Sequence, residues 1–575
     1  MWRATILLTQ LPSIVRMYFF ASLLFSGAAI ALAHAEEAKR DASQPYFNIY
    51  QGPNEQDSII NDPSTQLDYT LSGGEAYPNP YMADRLGTTG PLLISSTNLA
   101  RNFLGIASIF PNIHLRSNHW LTLSPERTIH AKGGGAHGWF EVTTPVGANY
   151  SMASVFSEVG KRTPVTARFS TIAGNLGNAD TVRDLRGLAF KLRTEDGILD
   201  WPFLNHPIFW LRDPGKFPHL TRSQKRNPQT NTLDYNNFWD YISANNESIY
   251  QAMRTMSDLG TPYGFRYMSG WSCNTFRAVK ADGSWVYIKT IAVSDQGVRN
   301  NTNEEAIVQA GVSPDFGVQD LYDSIAAGNY PSWTIYWQIM TPQQAENYKY
   351  NILDLTKGTF YCPQTIFLTL TFLFLEWLVE DVPYQEIGRI TLVQNPTNYF
   401  AEVEQIGFDP ANMPYGLEPS ADPTLQARLF AYADAQRYRI GVNGRQLPIN
   451  CPLNPVANFL RDGAMNFNNQ GNRPNFWSQQ DLLGLAPRPY NDDNHTIWTG
   501  GAVKYLSVPS EIDFDQPRLF WNGLSERDQN NLISNVIWHL GQASDMAIRT
   551  KQCQLFQHVN ETLGQAIAMG VNVTL

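Results

Sequence analysis

Residues 428–436 read Arg428-Leu-Phe-Ala-Tyr432-Ala-Asp-Ala-Gln436, and they carry more information than any other stretch of this length in the chain. The punctuation around them is that of a helix. Asp422 is a good N-cap, Pro423 suits the first helical position, and Gly441 is a fitting stop. Arg428 and Tyr432 are spaced i, i+4 and share a face of that helix, and Arg439 falls on roughly the same face. A free tyrosine titrates at about 10. A permanent cation beside it favours the phenolate, which is a hard anionic ligand for ferric iron. Taken alone, the pattern also fits a core tyrosine on an amphipathic helix with an incidental ion pair.

A second stretch lifts the iron reading above that alternative. Residues 126–138 read Glu126-Arg127-Thr-Ile129-His130-Ala-Lys-Gly-Gly-Gly-Ala-His137-Gly. Other ordered stretches are Arg168-Phe-Ser-Thr171, Ala179-Asp-Thr-Val-Arg-Asp184 and Ser223-Gln-Lys-Arg-Asn-Pro-Gln-Thr230. Tyr330-Pro-Ser-Trp-Thr334 and Asn398-Tyr-Phe-Ala-Glu-Val-Glu-Gln405 follow. In this order they resemble the haem catalases of the monofunctional, small-subunit type, from about Pro91 to about Arg473.

The resemblance implies an α+β fold: an antiparallel eight-stranded β-barrel with an extended N-terminal arm, a wrapping segment and a C-terminal helical region. It implies haem as cofactor and decomposition of hydrogen peroxide to water and dioxygen. Tyr432 would be the proximal iron ligand, a role tyrosine fills in catalase, with Arg428 holding it as phenolate. His130 would be the distal proton shuttle. Arg127, Arg168 and Arg439 would hold the haem carboxylates, where guanidinium geometry is bidentate. Ile129 and Phe217 would lie against the haem face, with Phe209 and Trp210 near the distal pocket. His137 receives no role. The family's homotetramer with interlocked arms is a further expectation.

The chain departs from the family pattern at one catalytic position. Catalases carry an asparagine that hydrogen-bonds peroxide, in a stretch ending Asn-Asn-Thr-Pro; the aligned residues are Leu204-Asn205-His206-Pro207. Leucine donates no hydrogen bond, so Asn205 is the remaining candidate, although neighbours on an extended segment point to opposite faces. The more apolar pocket leaves open a catalase-related enzyme acting on fatty-acid or other organic hydroperoxides, or an impaired haem protein. Ile129 directly before His130, and the match over the wrapping and C-terminal parts, favour catalase. NADPH is not expected. At the positions that bind it in some relatives stand Tyr250, Arg254, Leu259, Ile291 and Val293, and Ser257 alone matches.

Composition agrees with a large enzyme. The 575 residues are 43% hydrophobic with net charge −10, so a sizeable core is available and nucleic acid is not an expected partner. Four cysteines (Cys273, Cys362, Cys451, Cys553) lack the spacing of a zinc site or a disulfide scaffold.

Residues 1–35 read as a signal peptide: Arg16, then an apolar run from Met17 to Leu32, then Ala33-His34-Ala35. That predicts the secretory pathway, with no stable membrane association after cleavage. Asn-x-Ser/Thr sites at Asn149, Asn246, Asn494 and Asn560 agree.

The remaining organisation reads as an arm over 36–90, a barrel region over 91–394, a wrapping segment with the ligand helix over 395–510, and helices over 511–575. Helical periodicity is expected over Asn236–Met256, and Ser525–Val571 reads as two helices. Two segments stand apart: residues 358–376, rich in Phe, Leu and Thr, and 102–124, which lack the charged run expected before the distal motif. The first reads as a translated intron or a surface insertion.

Overall fold

The structure, a computed structural model, describes residues 127, 129–358, 382–453, 462–466 and 510–575. The signal-peptide and arm readings, and both unusual segments apart from Gly358, lie outside these residues.

Among the described residues ten strands form one sheet: β1 (Gly133–Val142), β2 (Arg162–Thr171), β3 (Arg186–Thr194), β4 (Gly197–Leu204), β5 (Gly270–Trp271), β6 (Phe276–Val279), β7 (Trp285–Ser294), β8 (Ser332–Met340), β9 (Gln385–Gln394) and β10 (Leu417–Pro419). The neighbour order β7-β5-β4-β3-β2-β1-β9-β8 closes on itself because β8 pairs back onto β7, while β6 and β10 form a flap beside β7. Every pairing is antiparallel. This is the expected eight-stranded antiparallel barrel.

Alternation explains which face each residue takes. On β2, Val165, Ala167 and Phe169 enter the core; on β3, Leu188, Phe190 and Leu192; on β4, Leu199, Trp201 and Phe203. Aromatic rings fill the interior, with Phe156 against Trp337 at 4.9 Å and Phe169 against Trp333 at 5.3 Å between centroids. An eight-stranded barrel is just wide enough to be filled by side chains. The barrel centre is therefore packing, worth about 1.5–3 kcal/mol per fully buried large apolar side chain, and the residues that alternate with these face outward.

Helices cover the outside: α1 (Phe217–Ser223), α2 (Tyr235–Ala244), α3 (Ile249–Met256), α4 (Asn303–Val312), α5 (Phe316–Ala326), α6 (Pro423–Arg439), α7 (Ile512–Gly523), α8 (Glu526–Leu540), α9 (Met546–Val559) and α10 (Glu561–Gly570). A second apolar core joins α2 and α3 to α7–α10 through Trp239, Met253, Phe520, Val536, Phe556 and Ile567. The fork of Arg212 onto Asp513, at 2.7 and 3.0 Å, fastens α7 to the segment after β4.

Two helix expectations are corrected. The predicted Asn236–Met256 helix is two helices, interrupted at Asn245, whose φ of −129° leaves the helical region. The two helices expected after Ser525 are three, because Asn560 leaves the helix at φ −155° and its side chain accepts the N–H of Leu563, starting α10. A capping asparagine ends one helix and begins the next.

Candidate active site

The outward residues of β2 build one wall. Arg168 and Ser170, two apart on the strand, both turn to the segment before β1. Arg168 donates to the carbonyls of His130 (2.8 Å) and Ala131 (3.0 Å). Ser170 Oγ lies 2.8 Å from His130 Nδ1. The backbone N–H of His130 reaches Ile172 O at 3.0 Å. These bonds hold His130 at φ +64°, a left-handed conformation unusual for a non-glycine residue. Behind the imidazole stands Gly187 of β3. A Cβ there would come within 2.7 Å of His130 Nδ1 and 2.9 Å of Ser170 Oγ, so only glycine lets the ring sit where it does.

Nδ1 being engaged, Nε2 is the nitrogen available for chemistry. Burial, reinforced by the guanidiniums of Arg168, Arg127 and Arg428, lowers the imidazole to about 3. A lowered value favours the neutral form, so His130 stays a base until the solution becomes strongly acidic. The rate of the His130-dependent step is expected to be level from about pH 5 to 8 and to fall only toward pH 3, instead of near the ordinary value of about 6.5. An acid limb centred near pH 6.5 in the rate profile would contradict this.

The other wall is α6. Asp422 caps it by accepting Thr424 N (2.8 Å) and Leu425 N (3.1 Å), Pro423 is its first residue, and Gly441 beyond its end has φ +94°. Arg428 donates to Tyr432 Oη at 3.1 Å, one turn along. It also donates to Pro202 O at 3.2 Å and to Asn274 Oδ1. Asn274 Nδ2 then donates to the other oxygen of Asp422 at 2.6 Å. One carboxylate thus sets both the start of α6 and the side-chain chain that fixes Arg428. Burial raises this carboxyl to about 6.

The third component is a cluster of guanidiniums. Arg127 pairs with the Glu404 carboxylate at 2.9 Å and donates to the carbonyls of Val403 (3.2 Å), Glu404 (2.7 Å) and Ile406 (2.8 Å). Arg439 donates to Glu404 O (2.7 Å) and Ile406 O (2.6 Å). A single π-turn over Phe400–Glu404 presents two of these carbonyls. Burial first, and mutual repulsion with Arg168 next, lower Arg127 well below the usual arginine value and Arg439 to about 10; Arg168 is lowered by burial.

Arg168 is buried and Arg127 and Arg439 are half-buried; among the described residues Glu404 is the carboxylate that pairs with this cluster, through Arg127, and Arg168 Nε has no hydrogen-bond partner. Uncompensated buried charge is costly. Two further carboxylates at this place would balance it, and haem carries two. The donor set at the site therefore fits haem: a phenol held by arginine, a neutral imidazole on a separate wall, and paired cation sites for the carboxylates.

The Leu204 question is decided by register. Leu204 pairs with Gly187 across β3–β4, and Gly187 faces His130, so Leu204 lies on the His130 face of the sheet. Asn205 does not take its place: its Oδ1 accepts the backbone N–H of Arg186 at 2.7 Å and its own N–H goes to Arg186 O. The expectation of Asn205 as a catalytic candidate is corrected accordingly. Leu204, Phe209 and Phe217 pack against one apolar core, the two phenyl rings 6.2 Å apart, and Trp210 is buried in that core. Ile129 is half-buried between Arg127 and His130. His137 is buried away from these groups, bridging Thr166 Oγ1 (3.1 Å) and Glu402 (2.7 Å).

Sequence reasoning missed Ser170, Gly187, Asn274 and Glu404. For Ser170 the signal was present: it follows Arg168 by two on a strand, so both share a face. The others carry no local mark.

The family described as Catalase matches residues 70–481, and the one described as Catalase-related immune-responsive matches 509–571. The chain is 43% identical over 512 residues to a catalase of Schizosaccharomyces pombe, covering 88% of this chain and 93% of that protein. It is 41% identical over 504 residues to a peroxisomal catalase of Candida tropicalis (87% and 97% covered) and 43% over 446 residues to a catalase of Sus scrofa (77% and 80%). Among solved structures, a fungal catalase superposes with TM-score 0.72 at 39% identity, covering 78% of this chain and 87% of the other. Catalase A from Saccharomyces cerevisiae gives 0.71 at 40% identity (78% and 90%).

Proposed function

The chain belongs to the catalase family, and from that premise we propose the roles by which its residues convert two hydrogen peroxide molecules to two waters and dioxygen. The enzyme acts on hydrogen peroxide. Haem, when bound, supplies a ferric iron that exchanges electrons with peroxide oxygen. Tyr432 would be its protein ligand, with Arg428 holding the phenol oxygen in place through its 3.1 Å hydrogen bond. Arg127, Arg168 and Arg439 hold the two carboxylates. His130 takes the proton from one peroxide oxygen at Nε2 and returns it to the other, so that water leaves. Leu204, Phe209 and Phe217 keep that space dry. The observation that carries this reading is the pairing of two walls: Arg428 on Tyr432 at 3.1 Å, and Ser170 on His130 at 2.8 Å, with the arginine cluster beside them.

The test is oxygen evolution by the haem-loaded protein beside Leu204→Asn. The parent is expected to evolve oxygen, and the variant to be faster by about tenfold, below the 10²–10³ carried by oxyanion-type donors. The gain is smaller because His130 already carries the proton. No oxygen from either protein, each with a full Soret band, would sink the assigned roles.

Three finer readings belong with this one. Tight NADPH binding is not expected, because Tyr250 and Arg254 are buried and Arg254 lies over the rings of Tyr250 (5.8 Å) and Phe520 (5.5 Å). NADPH retained by purified holoprotein would refute that. The assembly is a homotetramer, to be checked by light scattering. Residues 1–35 direct the chain to the secretory pathway, although several relatives are named peroxisomal; a full-length fusion seen in peroxisomes would overturn it. No helix among the described residues is long and apolar enough to cross a membrane.

A further inference from the structure

The segment that carries Leu204 is held by a buried residue the reaction does not use. His206 is completely buried, two positions beyond the end residue of β4. Its Nδ1 accepts from Gln251 Nε2 at 2.7 Å, and Nε2 faces Leu259 O at 3.3 Å. With Nδ1 accepting, Nε2 carries the proton and donates, so both ring nitrogens are used and the tautomer is set. Gln251, fully buried on α3, is itself fixed by a 3.0 Å bond to Thr255 Oγ1. The His206 carbonyl accepts from Cys273 Sγ at 3.2 Å, and Cys273 is the left-handed residue (φ +57°) directly before Asn274. His206 therefore ties the chain end of β4 to α3, to the turn at Leu259, and to the strand connection that holds Arg428.

We propose that His206 is a positioning residue: clamped between Gln251 and Leu259, it sets the register that turns Leu204 toward His130 and Asn205 toward Arg186. The physical reason is the period of two along an extended segment. A slip of one residue exchanges the faces of 204 and 205, and β4 has reached its last strand residue here, with a single ladder partner toward β5, Trp271. Ladder bonds alone hold this end weakly. A buried imidazole with two polar partners resists a slip, because moving it leaves Gln251 Nε2 and Leu259 O to find other partners. The proposal rests on the haem reading of the site, since it concerns the wall facing His130.

The experiment uses the haem-loaded full chain, with cyanide as a probe of the distal space. Three variants are compared: His206→Leu keeps the burial and removes both polar links, His206→Gln can accept from Gln251 and donate to Leu259, and Gln251→Met removes the link from the other side. Cyanide affinity, oxygen evolution and thermal unfolding are measured for each. His206→Leu and Gln251→Met are expected to change cyanide affinity and rate by about tenfold or more, given that a misplacement of about 1 Å can cost about 10²-fold. His206→Gln is expected to restore both to within about twofold of the parent.

Parent-like affinity and rate in a folded His206→Leu holoprotein, or an equal defect in His206→Gln, would overturn the proposal. If His206→Leu does not fold, Gln251→Met decides alone: parent-like values there overturn it. Absence of a Soret band in the parent would instead defeat the haem reading itself.

Discussion

His130→Asn is expected to lower oxygen evolution by about 10²–10⁴-fold, the share that positioned proton transfer contributes, while the Soret band and haem content stay at parental levels. Asparagine is the informative replacement because it tolerates the left-handed backbone that His130 adopts at φ +64°. Arg168 would still hold the carbonyls of residues 130 and 131, so the wall keeps its place. The loss would come from the missing Nε2, since an amide exchanges no proton at these pH values. The measurement is initial oxygen release at fixed haem concentration. A variant within about threefold of the parent would mean that water alone shuttles the proton and that His130 only shapes the pocket.

The second large effect is on the opposite wall. Tyr432→Phe keeps ring volume and removes the oxygen that Arg428 touches at 3.1 Å. Arg428 retains Asn274 Oδ1 and Pro202 O, so folding should lose only about 1 kcal/mol, the ordinary net worth of a hydrogen bond. Haem retention should fall by more than the about 10–100-fold typical when a group behind a ligand is removed, and oxygen evolution with it. Haem per chain after gel filtration and the thermal midpoint separate the two effects. A variant that keeps stoichiometric haem and parental activity would show that another residue ligates the iron.

The two predictions concern residues of unequal legibility. Tyr432, Arg428 and the bounds of their helix could be read from the chain because everything that specifies them is local: the Asp422 cap, Pro423, the i, i+4 spacing and Gly441. The barrel strands carry a local pattern too, since Val165, Ala167 and Phe169 alternate with Thr166, Arg168 and Ser170. The C-terminal helix count was misread at Asn560. There the same residue serves as an Asn-x-Thr site in sequence and as a cap in structure, and only its backbone angle distinguishes them.

The groups that surround Arg428 and Arg127 were not legible. Asn274 lies 154 residues before Arg428, and Glu404 lies 277 residues after Arg127. No periodicity links positions so far apart. Likewise, alternation alone said that Leu204 and Asn205 face opposite ways, without saying which faces His130. The pairing of Leu204 with Gly187 decides that, and it is a property of two strands and a third segment together.

By itself, then, the sequence determined most of the elements, the tyrosine and histidine proposed to carry the chemistry, and the leucine where a donor was expected. The tertiary structure decided which side chains meet: the Ser170 and Gly187 cradle of His130, the Asn274–Asp422 support of Arg428, and the gathering of Arg127, Arg168 and Arg439 near Glu404. The reason is range. Helix and strand patterns follow from neighbours a few residues apart, whereas charge balance, burial and register arise only when distant segments share one dry space.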